Sequence, residues 1–362
     1  MNVSDAERIA GWYEFQGWQA AQIIDKADEI VIVTCSVRQT AEDRVYGLVN
    51  NLTKNTAHSA KRKGKPKIIL TGCMLRYPLR WLKEKMPQVD EFKKIDQFKM
   101  HSARRIVRES KIHAFVPIME GCNQFCSYCV VPTARGREKS QPFKEIICEV
   151  KELAKRGYRE ITLLGQNVNA YGKDFNKLFR ASARNKVLEQ SERSLIHWSK
   201  KNFASLLREL HKIKDIKMIS FLTSNPWDLT EEIIKAMKLP KIDRYLHLPV
   251  QSGDDEILKK MNRHYTTKDY TELVGKIRRQ IPEIKIGTDI IVGFPGETEK
   301  QFQNTVDLCK KLGFTKAYIA MYSPRLNTAA YKLKDDVSRE EKRRRWRILD
   351  DLINQTKKES RH

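Results

Sequence analysis

Strand and helix patterns alternate along nearly all of the 362 residues, which predicts an α/β protein: an open N-terminal α/β domain followed by a partial (β/α)6 barrel. Two observations narrow this. Two early strand candidates each run straight into a cysteine and then into a helical pattern, and about six later strand candidates are separated by apolar stretches at helical spacing. At the N-terminus, Ser4 is the expected cap of a helix carrying Ile9, Trp12, Tyr13 and Phe15 and ending at Gly17. The runs 29–34 and 67–71 read as buried strands that deliver Cys35 and Cys73. Ligand crevices of open α/β sheets lie outside the carboxyl ends of the strands, so both thiols are expected at one rim. Between these strands, Lys61, Arg62, Lys63 and Lys65 read as a basic loop.

In the second block the strand candidates are 115–120, 160–165, 218–224, 245–250, 286–294 and 317–323, with helical stretches such as 143–155 and 300–312 between them. That rhythm implies a parallel sheet wound by right-handed crossovers, with functional groups gathered where the strands end. Residues 173–202 are too long and too basic for an ordinary βα loop and read as an insertion. From Ser338 onward, Arg343, Arg344, Arg345 and Arg347 surround Trp346 on what reads as a solvated basic helix. Domain boundaries are expected at 1–110, 111–337 and 338–362, the last a basic linker or tail.

Lys and Arg number 69 against 45 Asp and Glu, a net charge of +24. An excess of that size points to a polyanionic partner, of which nucleic acid is the obvious one; a solvated basic surface is the plain alternative. No apolar run approaches the roughly 18 residues a membrane span needs, which excludes a transmembrane role. The start carries Asp5 and Glu7 and no apolar stretch with a cleavage site, so a cytoplasmic, reducing location is expected for the seven cysteines.

Gly121-Cys122-Asn123-Gln124-Phe125-Cys126-Ser127-Tyr128-Cys129 is the strongest feature. With so few cysteines a C-x3-C-x2-C triplet arises by chance roughly three times in a thousand. Zinc usually takes four ligands from paired knuckles, and no second C-x2-C or His pair lies nearby. Three cysteines on one short loop suit an iron–sulfur cluster with one iron left open for a cofactor or substrate. Zinc and buried thiols are the lesser alternatives.

This cysteine loop after a first barrel strand resembles the radical S-adenosylmethionine superfamily. Thr34-Cys35-Ser36-Val37-Arg38, Thr71-Gly72-Cys73-Met74, Arg135-Gly136-Arg137-Glu138, Gly165-Gln166-Asn167-Val168-Asn169 and Thr288-Asp289 through Glu297 resemble its methylthiotransferases. The runs Met1 to Ile9 and Ala41 to Gly47 are most similar to the branch acting on isopentenylated adenosine 37 of tRNA.

The resemblance implies that Cys122, Cys126 and Cys129 hold a [4Fe-4S] cluster whose open iron binds S-adenosyl-L-methionine. A reductant such as flavodoxin or ferredoxin would then supply the electron that yields a 5′-deoxyadenosyl radical. Tyr128 is expected either on the adenine or as a core aromatic steadying the loop. Gln166 and Asn167 are expected at the methionyl end, and Gln251 and Ser252 toward the ribose. Gly293 would admit the adenine close to the backbone, with turn geometry as its rival explanation. His247 reads as a buried strand residue. Cys35 and Cys73 resemble two of three ligands of an auxiliary [4Fe-4S] cluster. Its third ligand would lie upstream of Met1 and an RNA-gripping β-barrel beyond His362, so the sequence reads as truncated at both ends. Cys148 and Cys309 read as helix packing residues.

The implied partner is the tRNA anticodon loop, contacted through residues 61–67, the insertion and the arginine-rich tail, with a splayed base entering a monomeric enzyme. Asn225 stands where the family tends to have His, and His264 where it tends to have Gly. The sister branches, acting on threonylcarbamoyl-adenosine or a ribosomal protein aspartate, and a non-catalytic iron–sulfur RNA-binding remnant are the alternatives.

Overall fold

The computed structural model describes residues 1–37, 39–58, 65–98, 108, 110–175 and 201–355. The chain divides into two compact units, one of Met1–Lys111 with Val130–Gly136 and one of Ile112–Cys129 with Arg137–His362.

In the first unit β1 (Glu29–Thr34), β2 (Lys67–Gly72) and β3 (Glu91–Phe92) form a parallel sheet in that order. Ile32, Ile68 and Leu70 pack with Val45, Val49 and Leu52 of the helix Gln39–His58, while Ile69 packs with Ile9 and Phe98. Burial on both faces explains why β2 reads as a continuous apolar run. The first helix spans Asn2–Phe15 with Met1 as its N-cap, so Ser4 is not the cap but lies buried inside the first turn. Lys67 pairs with Glu29 at 3.8 Å and Glu91 at 2.6 Å and so ties strands together, whereas Lys61, Arg62 and Lys63 lie outside the described residues.

Thr34 and Gly72 share a rung of the β1–β2 ladder. Gly72 has φ +95°, and a Cβ there would sit 2.6 Å from the Thr34 carbonyl oxygen, so glycine is required for the chain to turn at that point. Cys35 and Cys73 therefore leave adjacent parallel strands directly after a shared rung, at one rim as expected.

In the second unit six parallel strands occur in chain order as two three-stranded sheets. One holds β4 (His113–Pro117), β7 (Glu160–Leu164) and β8 (Met218–Phe221); the other holds β9 (Tyr245–His247), β10 (Lys285–Val292) and β11 (Lys316–Met321). An Ile219–Ile242 bridge and a 3.4 Å bond from the Ser224 N–H to the His247 carbonyl link the two sheets. Among the described residues nothing pairs β11 with β4, so the barrel is partial and open. The expected strand 115–120 is two pieces. The ladder to β7 ends where the Ile118 N–H donates to the Leu164 carbonyl at 2.8 Å, because the Ile118 carbonyl accepts from the Gln141 N–H at 2.8 Å, and β5 (Met119–Glu120) pairs antiparallel with β6 (Lys139–Ser140). The helices Phe143–Lys155 and Glu299–Leu312 cover the sheets with Ile146, Val150 and Leu153 and with Phe302, Val306 and Cys309. Of the expected insertion, residues 176–200 lie outside the described residues; Asn202 caps the helix Phe203–His211 by accepting from the Ser205 N–H at 2.9 Å.

The helix Arg339–Asp350 is not a solvated basic face. Lys342, Arg345 and Leu349 are buried, and the Trp346 indole donates to the Ile319 carbonyl of β11 at 3.0 Å. Arg345 pairs with Glu297 at 2.8 Å, and Arg344 pairs with Glu341 at 2.7 Å. Among the four arginines, Arg343 and Arg347 point to solvent together with Arg344. Hydrogen bonds from Arg344, then Arg345, hold the Glu341 carboxyl down at about 2, against an ordinary 4.5. A depressed carboxyl stabilises the fold above its unfolded value and loses that contribution as pH falls toward the folded one. Glu341→Gln is therefore expected to be less stable than the unmutated chain at neutral pH, with the gap shrinking as pH drops from 4.5 toward about 2 in denaturant melts. A gap that does not change with pH would contradict this.

Candidate functional site

The β5–β6 hairpin pinches off residues 121–138 at their base. Asn123 and Glu138 lock the start of that loop: the Asn123 backbone and side-chain N–H groups donate to the carboxylate at 3.2 and 3.1 Å. A turn in which the Cys129 N–H donates to the Cys126 carbonyl at 2.9 Å brings those two residues together. Phe125 takes the left-handed φ of +47° and lies 4.2 Å beneath the Arg137 guanidinium. From the other side, residues 260–263 clasp the loop. The Ser127 N–H and hydroxyl donate to the carbonyls of Met261 and Lys260 at 3.0 and 2.8 Å, and the Asn262 amide donates to the Phe125 carbonyl at 3.0 Å. Arg263 Nη1 lies 3.3 Å from Cys126 Sγ.

All seven cysteines are thiols. Burial pushes the Cys122 thiol up to about 12, with the Glu138 carboxylate and Cys126 adding to it, so a bound cation must supply the charge that makes it a ligand. Among the described residues no three His, Cys, Asp or Glu side chains converge as a single metal ion requires. A cubane asks instead for one thiolate per iron from a loop with three cysteines, and the donor set of Cys122, Cys126 and Cys129 fits that.

The residues expected around the cofactor are placed as follows. Tyr128 packs against the cluster of Ile257, Met261, Phe294, Tyr322 and Ala330, and burial raises its hydroxyl. Asn167 is buried and donates to Asp228 Oδ2 at 2.6 Å; its Oδ1 and Gln166 Oε1 are buried acceptors with no donor among the described residues. Gln251 has φ +69° and bridges β10 through its backbone. Ser252 is fully buried, its hydroxyl 3.5 Å from Thr305 Oγ1 and accepting from the Asp254 N–H at 3.3 Å, so it serves the turn into the next helix. Gly293 has φ +67°, and a Cβ there would meet Lys342 Cγ at 2.3 Å, so turn geometry and close packing each favour glycine at this position. His247 is buried and lies 3.1 Å from Asp289, as a strand residue.

Sequence reasoning missed Asp228 and Arg263. Asp228 is buried and accepts from Gln124 at 3.1 Å, from Asn167 and from Lys173, so one carboxylate joins the cysteine loop to the ends of β7 and β8. Both residues sit in runs that signal their importance only once folded, since neither lies in a periodic or ligand-spaced pattern.

In the first unit, Cys73 is buried and Arg135 Nε lies 3.3 Å from its sulfur. The same guanidinium donates to Asp5 Oδ2 at 2.7 Å and Asn2 Oδ1 at 2.9 Å. Burial raises the Cys73 thiol and Arg135 pulls it back down. Behind Cys35, Arg76 donates to Ser36 at 2.7 Å and stands 3.6 Å from the buried Glu42, with its guanidinium 4.0 Å over Tyr77. Arg38 lies outside the described residues. Cys309 is buried, as expected, but Cys148 is exposed on the outer face of its helix and is not a packing residue.

Residues 116–309 match the Radical SAM superfamily, and residues 1–93 match the Uncharacterized protein family UPF0004. A tRNA-2-methylthio-N(6)-dimethylallyladenosine synthase from Thermoanaerobacter sp. (strain X514) is 39% identical over 98% of this chain and 76% of its own length. The protein of the same name from Thermotoga petrophila is 40% identical over 97% of this chain and 79% of its own. In fold, the chain is similar to the radical S-adenosylmethionine methyltransferase TsrM from Kitasatospora setae, solved with cobalamin and a [4Fe-4S] cluster bound. That likeness has a TM-score of 0.53 at 14% identity, and covers 86% of this chain and 66%, just under two thirds, of the other. With that identity over nearly its whole length, the chain belongs to the tRNA-2-methylthio-N(6)-dimethylallyladenosine synthase family of radical SAM methylthiotransferases.

Proposed function

We propose that this chain adds a methylthio group to C2 of N6-isopentenyladenosine 37 in the anticodon loop of tRNA. The observation that carries the reading is the clasped loop bearing Cys122, Cys126 and Cys129 beyond the carboxyl end of the first barrel strand. The activity for which the relatives from Thermoanaerobacter and Thermotoga are named favours this base over those of the sister branches.

When bound, a [4Fe-4S] cluster and S-adenosyl-L-methionine supply the electron transfer and radical chemistry. Cys122, Cys126 and Cys129 would hold the cluster. The chain's own residues orient the cofactor and keep water out. Asp228 fixes the end of β7 against the cysteine loop by accepting from Asn167 and Gln124. Gln166 Oε1, Asn167 Oδ1 and Asn169 Oδ1 are buried acceptors without a donor among the described residues. A buried acceptor left unpaired is costly, and the amino N–H groups at the methionyl end of the cofactor are donors of the kind they lack. Tyr128 holds the loop through its apolar packing, and Ser252 and Gly293 shape the backbone rather than contribute polar atoms. Cys35 and Cys73 would be two ligands of the auxiliary cluster, with Arg135 fixing Cys73.

The net charge of +24 suits a tRNA partner, whose target base must be splayed out of its stack to reach the strand ends. A reductant such as flavodoxin or ferredoxin and a monomeric state complete the proposal. No described helix is long and apolar enough to cross a membrane. Mass spectrometry of tRNA nucleosides from cells with and without the gene tests the function. The deletion strain is expected to accumulate isopentenyladenosine without its methylthio group, and an unchanged level of the methylthiolated nucleoside would overturn the reading.

A further inference from the structure

Arg263 makes no ion pair with a carboxylate among the described residues, yet its guanidinium is enclosed. Its central carbon lies 4.7 Å from the Trp227 ring centroid and 5.1 Å from that of Tyr265, over a pair of rings that touch each other at 5.6 Å. Nε donates to the Tyr265 hydroxyl at 3.1 Å, and Nη2 donates to the Pro249 carbonyl at 3.2 Å and to Asn225 Oδ1 at 3.4 Å. Tyr265 is itself pinned, its hydroxyl donating to the Val250 carbonyl at 2.7 Å. These partners are uncharged and they aim the remaining arm, Nη1, at Cys126 Sγ, 3.3 Å away. A cation withdrawn from water costs free energy unless an anion compensates it. The sulfur of Cys126 is the anionic partner that a thiolate-bound cluster would supply.

We infer that Arg263 is a positioning residue that fixes a positive charge and an N–H donor on the sulfur of Cys126 and thereby raises the reduction potential of the cluster. The inference rests on the reading that Cys122, Cys126 and Cys129 hold that cluster. The reduced cluster carries one electron more than the oxidised one, so a fixed cation and a hydrogen bond to a ligand sulfur favour the reduced form. The clasp around the loop gives the effect its rigidity, because Asn262 and Met261, the two residues before Arg263, bond the residues on either side of Cys126. Lysine would keep a charge but not the fork that bonds four partners at once.

The test is anaerobic reconstitution of the unmutated chain, Arg263→Met and Arg263→Lys, followed by iron analysis and an EPR-monitored redox titration. Methionine keeps apolar bulk against Trp227 and Tyr265, so Arg263→Met is expected to load the same iron. Its reduced state is expected to be at least tenfold less favoured, a downward shift of about 59 mV for a one-electron couple. Arg263→Lys is expected to fall between the two. The unmutated chain also provides a measurement that needs no variant: arginine labelled with 15N in the guanidinium should give a nitrogen coupling to the reduced cluster in pulsed EPR. Equal potentials in fully loaded variants, or no such coupling in the loaded unmutated chain, would overturn the inference. An unmutated chain that binds no iron would overturn the cluster reading itself, and this inference with it.

Discussion

Replacing Cys126 by Ala is expected to abolish 5′-deoxyadenosine formation from S-adenosylmethionine, a loss beyond the roughly 10–100-fold that a change outside the ligand set costs a metal site. The expectation follows from the loop geometry. Cys126 is the middle thiol of the three, it receives Arg263, and the residues on both sides of it are held by residues 260–262. Little else in the loop can move to replace a missing sulfur. The contrast is Cys148, a thiol exposed on a helix of the same unit, whose replacement by Ala is expected to leave the yield unchanged. Anaerobically reconstituted proteins, reduced and analysed by liquid chromatography, give both numbers. Product from Cys126→Ala at the unmutated level would remove the three-cysteine loop from the mechanism.

Arg135→Ala is expected to destabilise the first unit by about 3–5 kcal/mol, the usual cost of removing one partner of a buried ion pair. Arg135 and Asp5 are 7% and 4% exposed at the side chain and 2.7 Å apart. The substitution leaves a buried carboxylate without its cation and Cys73 without its donor. Pairing it with Asp5→Asn should restore part of the loss, because no buried charge is then stranded. Urea melts of the two variants against the unmutated chain measure this, and a loss below about 1 kcal/mol, the range of exposed pairs, would contradict it.

Much of this architecture was legible in the amino-acid order because its signals are local. The apolar run of β2 is buried on both faces, that of β1 is partly buried, and the helix Phe143–Lys155 shows its apolar spacing with Ile146, Val150 and Leu153. The rim shared by Cys35 and Cys73 is readable from their places just past the carboxyl ends of two strands, and the shared rung at Thr34 and Gly72 bears it out. What could not be read was set by distant partners. Ser4 has a capping residue's chemistry, but the helix begins before it and buries it. The arginines around Trp346 look like a basic surface until Glu297, Glu299 and Glu341 are brought beside them. Asp228 and Arg263 lie 104 and 137 positions from the loop residues they bond, and no sequence periodicity reports a contact of that range.

The proposed reaction moves a methylthio group onto tRNA with S-adenosylmethionine as its methyl source. Reconstituted protein, isopentenylated tRNA and S-adenosylmethionine carrying a trideuteriomethyl group test it most directly, by mass spectrometry of the nucleoside at position 37. The expected product is a base that has gained one sulfur and one fully deuterated methyl group. Release of 5′-deoxyadenosine with the mass of that base unchanged would contradict it.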